Sequence, residues 1–187
     1  HPANYVLTVF CAMEDPGLLI LPTHRVLPGV IVSGADLQSD DNLNVSQLPV
    51  SSCEKILPAL ARFGPQAVAH YDAREKKYRA VTPKNPDILK SLEPDRSEAW
   101  RKLGLAFLHA YLLDRLVSPR LCGGKEPEIH YIKSGPPAVK EAEESNGTVF
   151  LMQATTMEEM RDVCRTGEVM PQKSTYFYPK LASGLVL

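Results

Sequence analysis

At 187 residues, with 44% hydrophobic and 23% charged side chains, the chain has the composition of a folded protein able to bury a core without disulfides or metals. Its net charge of −1 supplies no long-range field for nucleic acid or an anionic membrane surface, so any phosphate contact has to be local. No window approaches the ~20 apolar residues of a membrane helix.

The chain opens HPANYVLTVF, entering a strand pattern with neither a methionine nor a signal peptide, which reads as a processed or cut product. Tyr5–Met13 is nearly all apolar and predicts a central strand buried on both faces. Glu14-Asp15-Pro16-Gly17 signals a turn, Leu18–Leu21 a second strand, and Val30–Val32 a short β-prone run. Ser33–Val50 is polar and reads as a loop or insertion. Ser51 and Glu54 make a capping box for a helix carrying Ile56, Leu57 and Leu60, bent at Pro58 and ended by Gly64-Pro65.

Ala67–Asp72 and Lys77–Thr82 predict two strands around the turn Ala73–Lys76, and Lys84–Asp95 a connector. The longest helix runs from Ser97 to about Leu116, apolar enough to cover a sheet face, with Glu98, Arg101, Lys102 and His109 as a narrow polar stripe. After the loop Ser118–Glu128 the pattern is regular: strand Ile129–Ser134, helix Pro136–Ser145, strand Thr148–Ala154, helix Met157–Arg165. Thr156 and Glu159 form a second capping box, and Gly167 ends that helix. Asn146-Gly147-Thr148 matches a glycosylation acceptor but reads as a turn. A strand–helix–strand unit of this length favours a right-handed crossover to a parallel neighbour. Thr175–Tyr178 and Gly184–Leu187 predict a closing β-hairpin. The expected fold is α/β to α+β: a mixed central sheet flanked by helices, in one domain over residues 1–187.

Cys11, Cys53, Cys122 and Cys164 lie far apart with no C-x-x-C, so a zinc site would need four separate segments. Cys11 and Cys164 read as small core residues in a reducing compartment, the cytoplasm. His70, His109 and His130 are scattered, and the Glu14-Asp15 pair is explained by turn geometry, so no metal site is expected. No G-x-S-x-G or G-x-G-x-x-G stands in the chain, and no cofactor is named by the sequence.

Two clusters can carry chemistry. Pro22-Thr23-His24-Arg25 follows a strand: His24 can move a proton and Arg25 can grip a carboxylate or phosphate. The bland alternative, which weighs more, has His24 capping a backbone carbonyl and Arg25 paired with an acid such as Asp15. The second cluster is Lys173-Ser174-Thr175 with Tyr176, Tyr178 and Lys180. It lacks the glycines of a phosphate-cradling loop, so it offers at most an anion contact. Alternation puts Tyr176 and Tyr178 on one face, where they can stack on a ring or serve as ordinary strand residues.

Met13–Arg25 (MEDPGLLILPTHR), Thr148–Ala154 and Gly167–Leu187 (GEVMPQKSTYFYPKLASGLVL) together resemble the C-terminal portion of the domain of unknown function 1015 family, uncharacterised bacterial proteins. Gln172 and Ala182 depart from the prolines usual there. The family's proteins are about twice this long, and their N-terminal half carries an Asp-Gly-His-His-Arg motif resembling one in ParB and sulfiredoxin-related serine kinases. The resemblance implies a nucleotide- or phosphate-dependent, phosphotransferase-like enzyme whose main catalytic groups lie in that half. The fragment then supplies Arg25 and Lys173 as contacts to a small phosphorylated or carboxylate ligand, with His24 as a proton carrier. The alternative is a non-catalytic interaction or oligomerisation domain whose partner is a second copy or the N-terminal half. A nucleic-acid module ranks third.

Overall fold

The computed structural model describes residues 10–50 and 52–180. Its strands are β1 (Leu19–Leu21), β2 (His24–Leu27), β3 (Leu43–Gln47), β4 (Val68–Asp72), β5 (Tyr78–Pro83), β6 (His130–Ile132), β7 (Thr148–Leu151) and β8 (Tyr176–Tyr178). Six of them form one sheet in the order β3-β5-β4-β7-β2-β6, every neighbouring pair antiparallel. The helices are α1 (Gly34–Gln38), α2 (Ile56–Leu60), α3 (Glu98–Arg101), α4 (Gly104–Ala106), α5 (Ser118–Leu121), α6 (Gly135–Glu144) and α7 (Met157–Arg165). A π-helical segment, Phe107–Val117, joins α4 to α5.

Period-two alternation sorts the sheet into two apolar faces. Leu27, Val68, Val81 and Phe150 pack against Phe107, Leu108, Leu112 and Leu116 of the π-helical segment. Val26, Ala69, Ala80, Val149 and Leu151 face Ile56 and Leu60 of α2 and Ala138 and Ala142 of α6. Each fully buried Leu, Val or Phe contributes roughly 1.5–3 kcal/mol of transfer free energy. This is the predicted mixed α/β fold, a sheet flanked by helices.

Several boundaries differ from the expectations. The strand expected over Tyr5–Met13 falls partly outside the described residues; Phe10–Met13 is not a strand, and Phe10 is 93% exposed. The central positions go to β4 and β7. Val30–Val32 makes no strand, because side chains satisfy its backbone: Val32 N–H donates to Thr148 Oγ1 at 2.8 Å and its carbonyl meets His70 Nε2 at 2.6 Å. The Ser33–Val50 segment is structured, with α1 capped by a Ser33–Asp36 box and β3 at the sheet edge. Ser51 lies outside the described residues, and the helix there is a 3₁₀ turn (Cys53–Lys55) leading into α2.

The expected long helix is broken. Ser97 caps α3, its Oγ accepting from Trp100 N–H at 3.2 Å. Leu103 then turns extended, and Gly104 packs where a Cβ would come within 2.6 Å of the Pro65 carbonyl oxygen. Strands β6 and β7 are indeed parallel and linked through α6, but β2 lies between them, antiparallel to both. In the tail β8 pairs with β1, Leu21 opposite Tyr176 and Leu19 opposite Tyr178; the Gly184–Leu187 half of the expected hairpin lies outside the described residues. Cys11 and Cys164 are exposed rather than core residues.

Candidate functional site

Sheet register places Arg79, His70, Phe150, Arg25 and Tyr131 on one cross-strand row over five strands, all facing the π-helical segment's side. The two guanidinium groups on this row have different surroundings. Arg79 meets Asp72 Oδ2 at 3.3 Å and the Glu75 carboxylate. Arg25, 1% exposed, has no carboxylate within ion-pair distance among the described residues.

Backbone carbonyls solvate Arg25 instead. Its Nη1 donates to the Thr23 carbonyl, and its Nη2 donates to Lys173 O at 3.0 Å and Gln172 O at 3.3 Å. Its Nε is buried without a hydrogen-bond partner. The guanidinium carbon lies 5.3 Å from the centre of the Tyr131 ring. Burial pushes the Arg25 pKa down to about 10, with Tyr131 opposing, so the group stays charged at neutral pH. A cavity of about 30 Å³ is lined by Arg25 together with Thr23, Gln153, Thr155, Glu159 and Ser174. Such a volume admits one or two water-sized groups.

His24 lies on the other face of the sheet. Its Nδ1 accepts from Met152 N–H at 3.1 Å, which leaves the proton on Nε2. Burial, then the nearby Arg25 charge, lowers its pKa to about 4, so the ring is neutral near pH 7. It lines a separate cavity of about 110 Å³ with Cys53, Glu54 and Gly135. There burial, then Glu54, pushes the Cys53 thiol up to about 11. A protonated thiol beside an imidazole whose bare nitrogen is engaged is no nucleophile–base pair. His24 and Arg25 therefore address different cavities, although they are adjacent in sequence.

The tail meets Arg25 mainly through backbone. Ser174 is buried and lines the Arg25 cavity, and its carbonyl accepts from Thr155 Oγ1 at 3.1 Å. Lys173 has its side chain at the surface and a left-handed backbone, φ 56°, that turns its carbonyl to Arg25. Thr175 is half-buried beside β8. The Tyr176 ring carries Lys133 Nζ at 4.1 Å and Lys180 Nζ at 4.7 Å, and Tyr178 is exposed. Two ammonium groups thus lie close to the ring of Tyr176, one of the two tyrosines the sequence suggested for stacking. Asp15 accepts from Gly17 N–H at 2.8 Å, a turn contact that leaves Arg25 to the carbonyls.

Two contributors carried no sequence signal: Thr155 and Tyr131 are isolated polar or aromatic residues in strings without a motif. Among the described residues no three His, Cys, Asp or Glu side chains are grouped to hold a metal, and no helix is long and apolar enough to cross a membrane.

The architecture is that of an antiparallel-sheet α/β domain with helices on both faces and a buried guanidinium that forms no ion pair among the described residues. The family model described as "Protein of unknown function (DUF1015)" matches residues 1–104, more than half the chain, and the chain belongs to this family. That match contains MEDPGLLILPTHR, while the tail lies beyond it. No curated protein matches the chain. Among solved structures, a conserved hypothetical protein from Pyrococcus furiosus is similar at 21% identity and a TM-score of 0.48, over 90% of this chain. The chain spans 60% of that protein's length.

Proposed function

We propose that this chain is the C-terminal portion of a longer, cytoplasmic, phosphate- or nucleotide-dependent enzyme of phosphotransferase type, in which it supplies an anion contact. The reacting groups then belong to a preceding N-terminal half. Arg25 carries this reading: a buried cation with no ion pair and an unpartnered Nε among the described residues, lining a cavity with the hydroxyl-bearing Thr23, Thr155 and Ser174 and with Glu159, which the α7 cap engages. An ion held away from water costs several kcal/mol unless charge or dipoles offset it. The carbonyls offset part of that cost, and an anionic ligand supplies the rest. The cavity's size decides what enters: a carboxylate or the tip of a phosphoryl group, with a sugar and base outside it. The cysteines at 11, 53, 122 and 164 are free thiols, the state kept in a reducing compartment.

The test uses the complete protein, titrated with inorganic phosphate and a nucleoside triphosphate. Arg25→Met and Ser174→Ala are expected to weaken binding about tenfold or more, the worth of one charge-assisted contact. Lys173→Ala is expected to matter less, since its carbonyl and not its ammonium faces the site. Binding unchanged in both Arg25→Met and Ser174→Ala removes the reading.

A second reading, an interaction or oligomerisation domain, has its own observation. Beside the β1–β8 ribbon, Phe10, Met13, Leu18, Met157, Met160 and Phe177 line an open, mainly apolar groove of about 820 Å³. Sedimentation equilibrium showing a monomer at every concentration, unchanged by Met160→Glu, discards it.

A further inference from the structure

Tyr131, whose ring centre lies 5.3 Å from the Arg25 guanidinium carbon, and Gln172, whose carbonyl accepts from Arg25, also line a larger cleft of about 350 Å³, within the usual range for small-molecule sites. Its polar wall is His109, Asp114, Glu126 and Tyr131; Leu113, Pro127, Ile129 and Pro171 supply apolar surface. We propose that this cleft binds a small molecule bearing a primary ammonium group on an apolar stem, with the ammonium held between Asp114 and Glu126.

The helix geometry assembles the site. Over Phe107–Val117 the backbone is π-helical, and Ser118 N–H reaches Leu113 O, five residues back. In an α-helix His109 and Asp114 would point ~140° apart. The wider i→i+5 turn brings residues five apart closer in direction, and both line one cleft. Single π turns inside helices recur at functional sites, and here the irregularity has an identifiable product: two titratable groups on one wall.

The polar groups around the cleft lack internal partners. Among the described residues neither Asp114 nor Glu126 makes an ion pair, and His109 Nε2 is buried with no hydrogen bond. Burial, then repulsion by Glu126 and Glu93, raises the Asp114 carboxyl pKa, as expected where acids face each other without a cation. Burial and the Arg25 charge hold His109 at about 4, so it meets a ligand as a neutral ring able to accept or donate. Two acids on one wall of a cleft that is otherwise largely apolar suit a cation that brings its own apolar surface, an ammonium on a stem. The Arg25 charge behind Tyr131 repels a cation from the inner end, which sets the orientation: ammonium at the Asp114–Glu126 end, stem along Leu113, Pro127 and Ile129.

The test is an NMR titration of the 187-residue chain with benzylammonium, benzyl alcohol, benzoate and magnesium chloride, following the His109 and Tyr131 ring signals. Benzylammonium is expected to give saturable shifts at both rings while the other three do not. Asp114→Asn and Glu126→Gln, both at exposed positions, are expected each to weaken it about tenfold. If one variant melts early, the other decides. No saturable shift with benzylammonium, equal binding by benzyl alcohol, shifts from magnesium instead, or undiminished binding in the well-folded variant each overturns the proposal. None of these results depends on Arg25 binding an anion.

Discussion

Arg25 and Arg79 stand on the same cross-strand row, separated by His70 and Phe150, and among the described residues Arg79 forms ion pairs while Arg25 forms none. The difference predicts unequal costs of losing each charge. Arg79→Met strands Asp72, whose side chain is wholly buried, and is expected to cost ~3–5 kcal/mol. Arg25→Met leaves only neutral carbonyls unpaired and removes an uncompensated buried cation, so its expected cost is ~1–3 kcal/mol. Urea unfolding of the two variants measures both. A larger loss for Arg25→Met than for Arg79→Met contradicts the assignment of their partners.

The asymmetry on this row also shows where the sequence was legible. Helix α7 and its Thr156–Glu159 box were read to the residue, because the cap and the apolar spacing are local signals. The β4–β5 hairpin was read for the same reason. Strand β2 was not, since His24 and Arg25 look like solvent-facing residues after a strand and become buried only through partners 128 and 148 positions away. Strand β3 was lost in a polar segment because it is an edge strand with alternate residues in water. The π-helical stretch does not keep a 3.6-residue period, so the apolar spacing hides it and the company His109 keeps. At Arg25 the sequence showed which residue types stand near the strand end, but which face each takes depended on register.

The four described histidines divide by environment, and their titrations are predicted accordingly. Burial lowers His24, His70 and His109 each to about 4, while the Glu141 and Glu128 carboxylates raise His130. For the first three the folded pKa lies below the unfolded value near 6.5, so the unfolded chain binds the extra protons. Their contribution is full above pH ~6.5 and declines as pH falls toward ~4, by about 1.4 kcal/mol per pH unit for each proton. His130 runs oppositely: its contribution holds at low pH and fades as pH rises through its folded pKa. Ring-proton NMR from pH 3.5 to 8 is expected to show His130 titrating above 6.5 and His24, His70 and His109 silent down to about 5. A buried histidine titrating near 6.5 sinks the prediction.

Gly147 sits where helix α6 returns to the sheet, and its backbone is pinned on both sides. Its N–H donates to Ala142 O at 2.7 Å and its carbonyl accepts from Ala73 N–H at 3.0 Å. A Cβ there would overlap the Leu27 carbonyl oxygen, a backbone atom of β2 that cannot swing aside. Gly147→Ala is therefore expected to cost ~1–3 kcal/mol, lowering the melting temperature by several degrees. An unchanged melting curve means that the α6–β7 turn has room this geometry denies.

The α7 capping box links helix stability to the Arg25 site. Thr156 Oγ1 accepts from Glu159 N–H at 3.0 Å, and Glu159 Oε2 accepts from Thr156 N–H at 2.8 Å. Glu159 also lines the cavity of Arg25, so the box fixes a carboxylate that would otherwise compete for the guanidinium. Thr156→Ala is expected to cost ~1 kcal/mol of stability through the lost cap. It is also expected to weaken phosphate binding by the complete protein, because a freed Glu159 brings like charge to the incoming anion. Adding Glu159→Gln should restore binding while leaving the helix destabilised, since the charge is gone but the cap is not rebuilt. Calorimetric titration with phosphate alongside thermal melts separates the two effects. If binding falls equally in the single and double variants, the loss comes from a loosened helix and not from the carboxylate.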